Sequence, residues 1–565
     1  MKKIFLLFNT LKYLKIKQFY YMFVRRILKP KTVVAASSTV ELRDKVTVIK
    51  PIFVDGIYVS DTKFKFLNVV EELDEGGINW CPSRMQRLWQ YNLHYFDYLR
   101  EDARPINNKI YLLNNWIESN PQLSRPGWEP FTTSLRIVNW VFFLVDYPRS
   151  INVAFDKQVS SLYEQVLWLE KNDESHILAN HYFENMKALL FAGVYFKGED
   201  AERWLKKATN ELKYQLVEQQ LSDGGHYERS PQYHSLMLEN YLDLYNLATD
   251  NNILFDERFL QLLKQTCDKS LDFLSDIVFP NNKIPLFNDS AFCVAPDIKE
   301  LCKYANKLYG YKRHEAKKTD NNLLCKNDSG IYGFKTESDM LVIDCGDIGP
   351  TYQPGHTHCD FLSYELMLNN QMIIVDTGVH EYEPGMTRVH ERSTQAHNTI
   401  SVDDDEQSEI WGEFRVARRA KKLYTEINYL SPDKVKFKGA YNGFYQVKGR
   451  IEHHREILIT SNESVSQIKE IQFKDYIVGV GFHNIKSYIH FHSDVSVKYA
   501  SDNKFLLTYN SGVNQVDFIV HGDLKCTLED SEYYPEFGLK LVNKVLVVMY
   551  DSPLPCELSY SIIKH

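Results

Sequence analysis

No run of eighteen or more apolar residues occurs in the 565 residues, so a membrane-spanning helix is excluded on length. No CxxC pair occurs, and the nine cysteines are scattered and odd in number, which argues against a disulfide framework and for reduced, mostly buried thiols. Basic charge is in deficit: 66 Lys and Arg face 74 Asp and Glu, a formal net charge of -8. That balance argues against nucleic acid as the main partner, and any acidic ligand would need a local basic pocket. There is no repeat of fixed 20–50 residue period and no low-complexity tract. No A-x-A-like cleavage site follows the basic N-terminus.

What is present is length and aromatic content. A chain this long exceeds one ordinary core, so two or more domains are expected. Hydrophobic residues make up 44% and aromatics 13%, with 36 Tyr and 32 Phe, as in a soluble globular protein with surfaces able to stack on sugars. The N-terminal apolar run, residues 4–8, breaks at Asn9 and is followed by Lys12, Lys15 and Lys17. This segment reads as a surface helix or arm, with peripheral contact to an anionic membrane as the alternative. The expected location is cytoplasmic or membrane-peripheral, with the periplasm as the alternative. Oligomeric state is left open.

From about residue 85 to 310 apolar residues recur at helical spacing; Tyr233, Leu236, Met237, Tyr241, Leu244 and Ala248 fall on one stripe. After Leu324 the pattern changes to alternating or β-branched segments punctuated by Gly, Asn and Asp, among them FLSYELML, QMIIVDTG and KVLVVMYD. Helices followed by strands predict an α+β multidomain chain with segregated layers. The expected division is a basic-aromatic arm and leader at 1–80, a helical domain at 81–320 and an antiparallel β domain at 321–565.

Chemistry-bearing residues gather in four places. In GHTHCD, His356 and His358 project to one face if the chain is extended, and Asp376 and His397 sit at strand ends further on. His358, Asp376 and His397 make a nitrogen-oxygen set suited to zinc. A simple hairpin around Asn369-Asn370 pairs Asp376 near Ser363, however, and leaves His358 roughly 16 Å away. A metal site therefore requires the chain to bend back, with Gly355 as the place for it; separate strand-edge polar residues are the other reading. In ANHYFEN, His181 and Glu184 share a helical face, so Glu184 could fix the imidazole tautomer, or Asn180 could simply cap a helix. In DGGHYERSPQYH, Gly-Gly ends a helix and Tyr233 is either a core aromatic or a proton-transfer group. Arg388, Arg392, Arg415, Arg418 and Arg419 are either a solvated face or clamps for carboxylate and sulfate.

Together with LWQYNLHYFDYL and GWEPFTTSLRIVNW, these motifs in this order resemble the heparinase II/III-like polysaccharide lyases, whose relatives include alginate and oligoalginate lyases. The resemblance covers about four fifths of the chain. It implies an N-terminal incomplete (α/α) toroid, a C-terminal antiparallel β-sandwich and a cleft for an acidic, uronate-containing polysaccharide between them. By motif position it implies zinc at His358, Asp376 and His397 in a structural role. Catalytic roles fall on Asn180, His181, Tyr233 and His356, and substrate contacts on Glu184 and Tyr382, with Arg388, Arg392 and Arg415 as candidate clamps. The reaction it implies is β-elimination at a uronic acid. Asn180 and His356 would steady the carboxylate, Tyr233 would act as acid, and His181 or Tyr233 as base. The basic-aromatic N-terminus departs from the secreted relatives and looks like the branch that makes surface polysaccharides. Two other readings stand beside the lyase: a toroidal glycoside hydrolase using Glu184 and Glu228, and a non-catalytic glycan-binding protein.

Overall fold

The computed structural model describes residues 2–27, 32–33, 40–73, 77–146, 155–313, 322–462, 464–501 and 503–565. Helices run from Arg87–Tyr95 through Ile106–Ser119, Pro130–Asp146, Asp156–Asn172, Ala179–Tyr195, Glu199–Gln219, Pro231–Asp250 and Glu257–Ile277 to Ile298–Tyr309, forming the toroid. Local signals set their ends. Ser230 caps Pro231–Asp250 through the Tyr233 amide, with Pro231 at the first helical position, and Asp297 with Glu300 forms a capping box at Ile298–Tyr309. Gly224 adopts φ +91°, and a β-carbon there would meet the Lys269 carbonyl oxygen at 2.4 Å, so the turn after Glu199–Gln219 admits no side chain at this position.

Every strand pairing in the C-terminal half is antiparallel. Five strands, Leu323–Lys326, Ile331–Lys335, Met340–Asp344, Tyr364–Leu368 and Gln371–Ile374, follow one another as a meander. An eight-stranded sheet begins at Lys421–Ser431, and a four-stranded sheet includes Ile400–Val402. The meander is apolar on both sides. Ile331, Met340, Val342 and Met367 join the helical core, while Tyr332, Phe334, Leu341, Ile343, Leu366 and Leu368 join the core of the large sheet. Helices and strands are thus segregated in sequence but share a sheet in space.

The leader is not a separate unit. Val46, Ile52, Phe64, Phe66, Leu73, Ile78 and Trp80 are buried in the helical core, so the boundary drawn at residue 80 crosses continuous packing. The two helices before it, Lys2–Leu11 and Ile16–Ile27, lie across the junction of the two halves. All nine cysteines are free as expected, but Cys81, Cys293 and Cys325 are exposed.

Candidate active site

The centre of the site is a residue that no motif marked. Asp289 is fully buried in the connection between the last toroid helices and accepts four bonds from the sandwich side. Its Oδ1 accepts from His358 Nε2 (2.8 Å) and Arg388 (2.6 Å), and its Oδ2 from His356 Nδ1 (2.9 Å) and Arg388 (2.8 Å). Burial alone would raise this carboxyl, but the Arg388 guanidinium and the two imidazoles hold it well below the usual carboxylate range. The same loop grips the helical domain. Ser230 Oγ donates to the Asp289 carbonyl (2.7 Å) while capping the helix that carries Tyr233, and Gln232 Oε1 accepts from the Ala291 amide (2.9 Å). Residues 288–291 therefore fix both walls of one cleft.

Tyr233 lies flat on His356, ring centroids 3.7 Å apart at 27°, and its hydroxyl is 3.4 Å from that of Tyr382. Burial raises the pKa of both phenols, so each is protonated at neutral pH. Glu228 links His356 to the opposite helix: its Oε1 accepts from the Asn180 amide (3.5 Å) and its Oε2 sits 3.8 Å from His356 Nε2. Burial raises the Glu228 carboxyl, and its Oε2 has no hydrogen-bond partner. Next to Asn180 in the chain, His181 is the more exposed imidazole, packed on Phe131 with centroids 4.4 Å apart. His181, Asn180, Tyr233, His356 and Tyr382 are thus connected through first neighbours.

His181 is not oriented by Glu184. Its Nδ1 bonds Glu174 Oε1 (3.0 Å), and Glu174 Oε2 accepts from Asn185 (3.1 Å). Glu174 precedes the helix in a loop that turns through left-handed Leu178 and Ala179, which brings it over the first turn. Asn180 lies inside that helix and is not its cap. Burial lowers the His181 pKa, but the Glu174 carboxylate outweighs it and the net shift is upward. Glu184 accepts from Asn240 (2.5 Å), beside the buried Lys187–Asp243 pair, and burial raises its pKa.

The arginine clamps are a correction. Arg388 is bidentate on Asp289, and Arg392 donates to the carbonyls of Thr357, Gly412 and Arg415, so both buried guanidinium groups are engaged within the protein. Arg415 is exposed and lies over the Trp411 ring at 4.7 Å.

The metal set converges in part. Leu366 pairs with Ile374, close to the expected hairpin register, and the chain does bend back before it. The bend is a tight turn from Asp360 to Ser363 with Leu362 at φ +60°, not a turn at Gly355. It leaves the His358 and His397 rings 5.3 Å apart, with His397 Nδ1 on Asp376 Oδ2 at 2.7 Å. His358 Nδ1 and His397 Nε2 are both buried without a hydrogen-bond partner. Burial drives His358 down to about 3, against the pull of Asp289, so it is a neutral imidazole. Asp360 accepts from the Asn288 amide (2.8 Å) and is pushed up to about 6 by burial, partly offset by His397. The two orphaned nitrogens and the carboxylate chemistry fit zinc. Among the described residues, no three His, Cys, Asp or Glu side chains stand as a finished ligand set.

The architecture is a helical toroid joined to an antiparallel sandwich, with histidine and tyrosine side chains from both halves brought together at their junction. The chain belongs to the heparinase II/III-like family: residues 12–314 match the heparinase II/III N-terminus profile and residues 323–560 the heparinase II/III-like C-terminal profile. It is similar to a heparin-sulfate lyase of Pedobacter heparinus, 24% identical over 358 residues, which cover 58% of this chain and 52% of that protein. A heparin-sulfate lyase of Bacteroides thetaiotaomicron is 23% identical over 388 residues, covering 58% and 54%. The chain spans about half the length of these relatives. Among solved structures, heparinase III superposes with a TM-score of 0.68 at 18% identity, over 87% of this chain and 80% of that one. Heparan sulfate lyase from Pedobacter heparinus superposes with a TM-score of 0.56 at 16% identity, over 97% and 87%. These likenesses establish the toroid-plus-sandwich fold.

Proposed function

We propose that this protein is a polysaccharide lyase that cleaves a uronic-acid-containing polysaccharide by β-elimination, leaving unsaturated ends. The observation that carries the reading is the protonated Tyr233, stacked on His356 and next to Tyr382 at the junction of the two domains. Similarity to proteins named heparin-sulfate lyases supports testing a sulfated glycosaminoglycan first.

Elimination requires removal of the C5 proton beside a carboxylate that is already negative, so donors must stabilise the developing charge more strongly than the ground state. Asn180 serves that carboxylate, and His356 does so when its Nε2 carries a proton in addition to the one that Nδ1 gives Asp289. Burial raises the pKa of the neighbouring Glu228 carboxyl. His181, with Nδ1 on Glu174, presents Nε2 as base, and Tyr233 gives its proton to the O4 leaving group as the C4–O4 bond breaks. The electron pair of the C5–H bond becomes the C4=C5 double bond. Tyr382 supports the Tyr233 hydroxyl, Glu184 contributes to the helical floor, and Arg415 is the exposed cation available to an acidic chain.

Zinc bound by His358, Asp376 and His397 would act structurally, holding the turn that presents His356; elimination needs no activated water.

The test gives purified protein a panel of glycosaminoglycans and other uronate polymers and follows ultraviolet-absorbing ends and reducing ends together. Both should rise for the substrate, and Tyr233→Phe should lose roughly 10²–10⁴-fold in rate with an unchanged melting temperature. New reducing ends without the absorbance would overturn elimination in favour of hydrolysis. Unaltered binding with no cleavage by either protein would identify a glycan-binding protein.

A further inference from the structure

The side chains that the two N-terminal helices bury are polar, and each helix exposes an apolar stripe. Among the described side chains of Lys2–Leu11 and Ile16–Ile27, the buried ones are Asn9 and Gln18. Ile16, Phe19, Tyr20, Phe23 and Ile27 recur at i, i+3, i+4, i+7 and i+11, one face of the second helix, and all are exposed, Ile16 at 88% and Phe23 at 68%. On the first helix Ile4, Leu7 and Phe8 share a face, with Ile4 73% exposed.

The attachments to the body are polar. Trp411 Nε1 donates to Thr10 Oγ1 (3.0 Å), the Gln18 amide reaches the carbonyls of Ile177 (3.3 Å) and Tyr352 (3.5 Å), and Lys15 pairs with Glu218. Helices held by polar contacts with Ile4, Phe8, Ile16, Phe19, Phe23 and Ile27 in water leave apolar surface hydrated for no gain, unless that face has its own apolar partner.

Charge identifies the partner. The first forty residues hold nine Lys and Arg and no Asp or Glu, in a chain whose formal net charge is -8. Lys3, Lys12, Lys17 and Arg26 are exposed beside the apolar stripes. A second copy of the chain would bring this cationic face against itself. An apolar stripe flanked by cations is the pattern of a helix that lies in the headgroup region of an anionic bilayer.

We propose that these two helices form a peripheral docking surface for an anionic lipid bilayer. Neither helix is long and apolar enough to cross one, so the helices lie in the interface. Gln18 bonds loops on both sides of the cleft, Ile177 just before the His181 helix and Tyr352 just before His356. The bound surface therefore lies beside the cleft, where a polysaccharide tethered to the membrane would be presented.

The experiment is co-flotation of the full chain with vesicles of phosphatidylcholine alone or mixed with phosphatidylglycerol, at low and high salt. The protein should float with the mixed vesicles, stay behind with neutral ones, and dissociate as salt rises. Ile16→Glu with Phe23→Glu should weaken flotation by at least about tenfold, and Lys3→Gln with Lys12→Gln and Arg26→Gln should weaken it at low salt. Both variants should keep the parent melting temperature, since the altered side chains face outward. Failure of the full chain to float with phosphatidylglycerol vesicles, or equal flotation of the Ile16/Phe23 variant, overturns the proposal. So does a lipid-free dimer that this variant converts to a monomer. None of these readouts depends on catalysis, so failure here is distinct from failure of the lyase reading.

Discussion

On the helical wall of the cleft two local contacts position functional residues: Glu174 holds His181, and Ser230 caps the helix of Tyr233. On the sandwich wall, His356, His358 and Arg388 all converge on Asp289, which lies about seventy to a hundred positions earlier in the chain. Local fixing makes a residue separable from its surroundings. Convergence on one buried carboxylate makes three residues fail together.

That contrast can be broken at Asp289. Asp289→Ala leaves the Arg388 guanidinium buried without its counter-charge and removes the acceptor of two imidazoles. A loss of about 3–5 kcal/mol in stability is expected, read by denaturant unfolding, together with loss of turnover. A parent-like melting curve would show that the sandwich wall stands without it. Smaller is the effect expected at His358: His358→Ala should release zinc, measured by metal analysis of the purified protein, with a lower melting temperature. Equal metal content, or none in the parent, would remove the zinc assignment. The mildest change is on the helical wall. The Glu174 carboxylate raises His181 above its ordinary pKa, and the base must be neutral, so the rate falls as pH drops through that raised value. In Glu174→Gln the carboxylate is gone, so the acid limb of the pH–rate profile should move to lower pH while stability changes little. An unmoved limb would assign the base to Tyr233.

The same contrast explains what could be read from sequence. Helical periodicity and strand alternation report short-range patterns, and they placed the helical domain, the antiparallel sheets and the hairpin ending near Asp376, whereas the toroid was implied by the family resemblance. The bend that brings His358 to His397 rests on Leu362 in a left-handed conformation, a position where the residue type gives no hint. Glu184 was the nearer candidate to orient His181 because i,i+3 spacing is visible, whereas Glu174 reaches the imidazole from a loop. Asp289 belongs to no motif, and its signal, one acidic residue in NDS between two helices, is too common to single out. The arginines were legible as a cluster, but burial of Arg388 and Arg392 depends on partners distant in sequence.

The five-stranded meander has a practical consequence. Because Ile331, Met340, Val342 and Met367 belong to the helical core, a chain divided near residue 321 would carry an open apolar sheet face on one fragment and uncover its helical counterpart on the other. Each piece would be prone to self-association, so the two halves of this protein are not interchangeable modules, and exchanging sandwiches between relatives would succeed only with matched residues on that shared face.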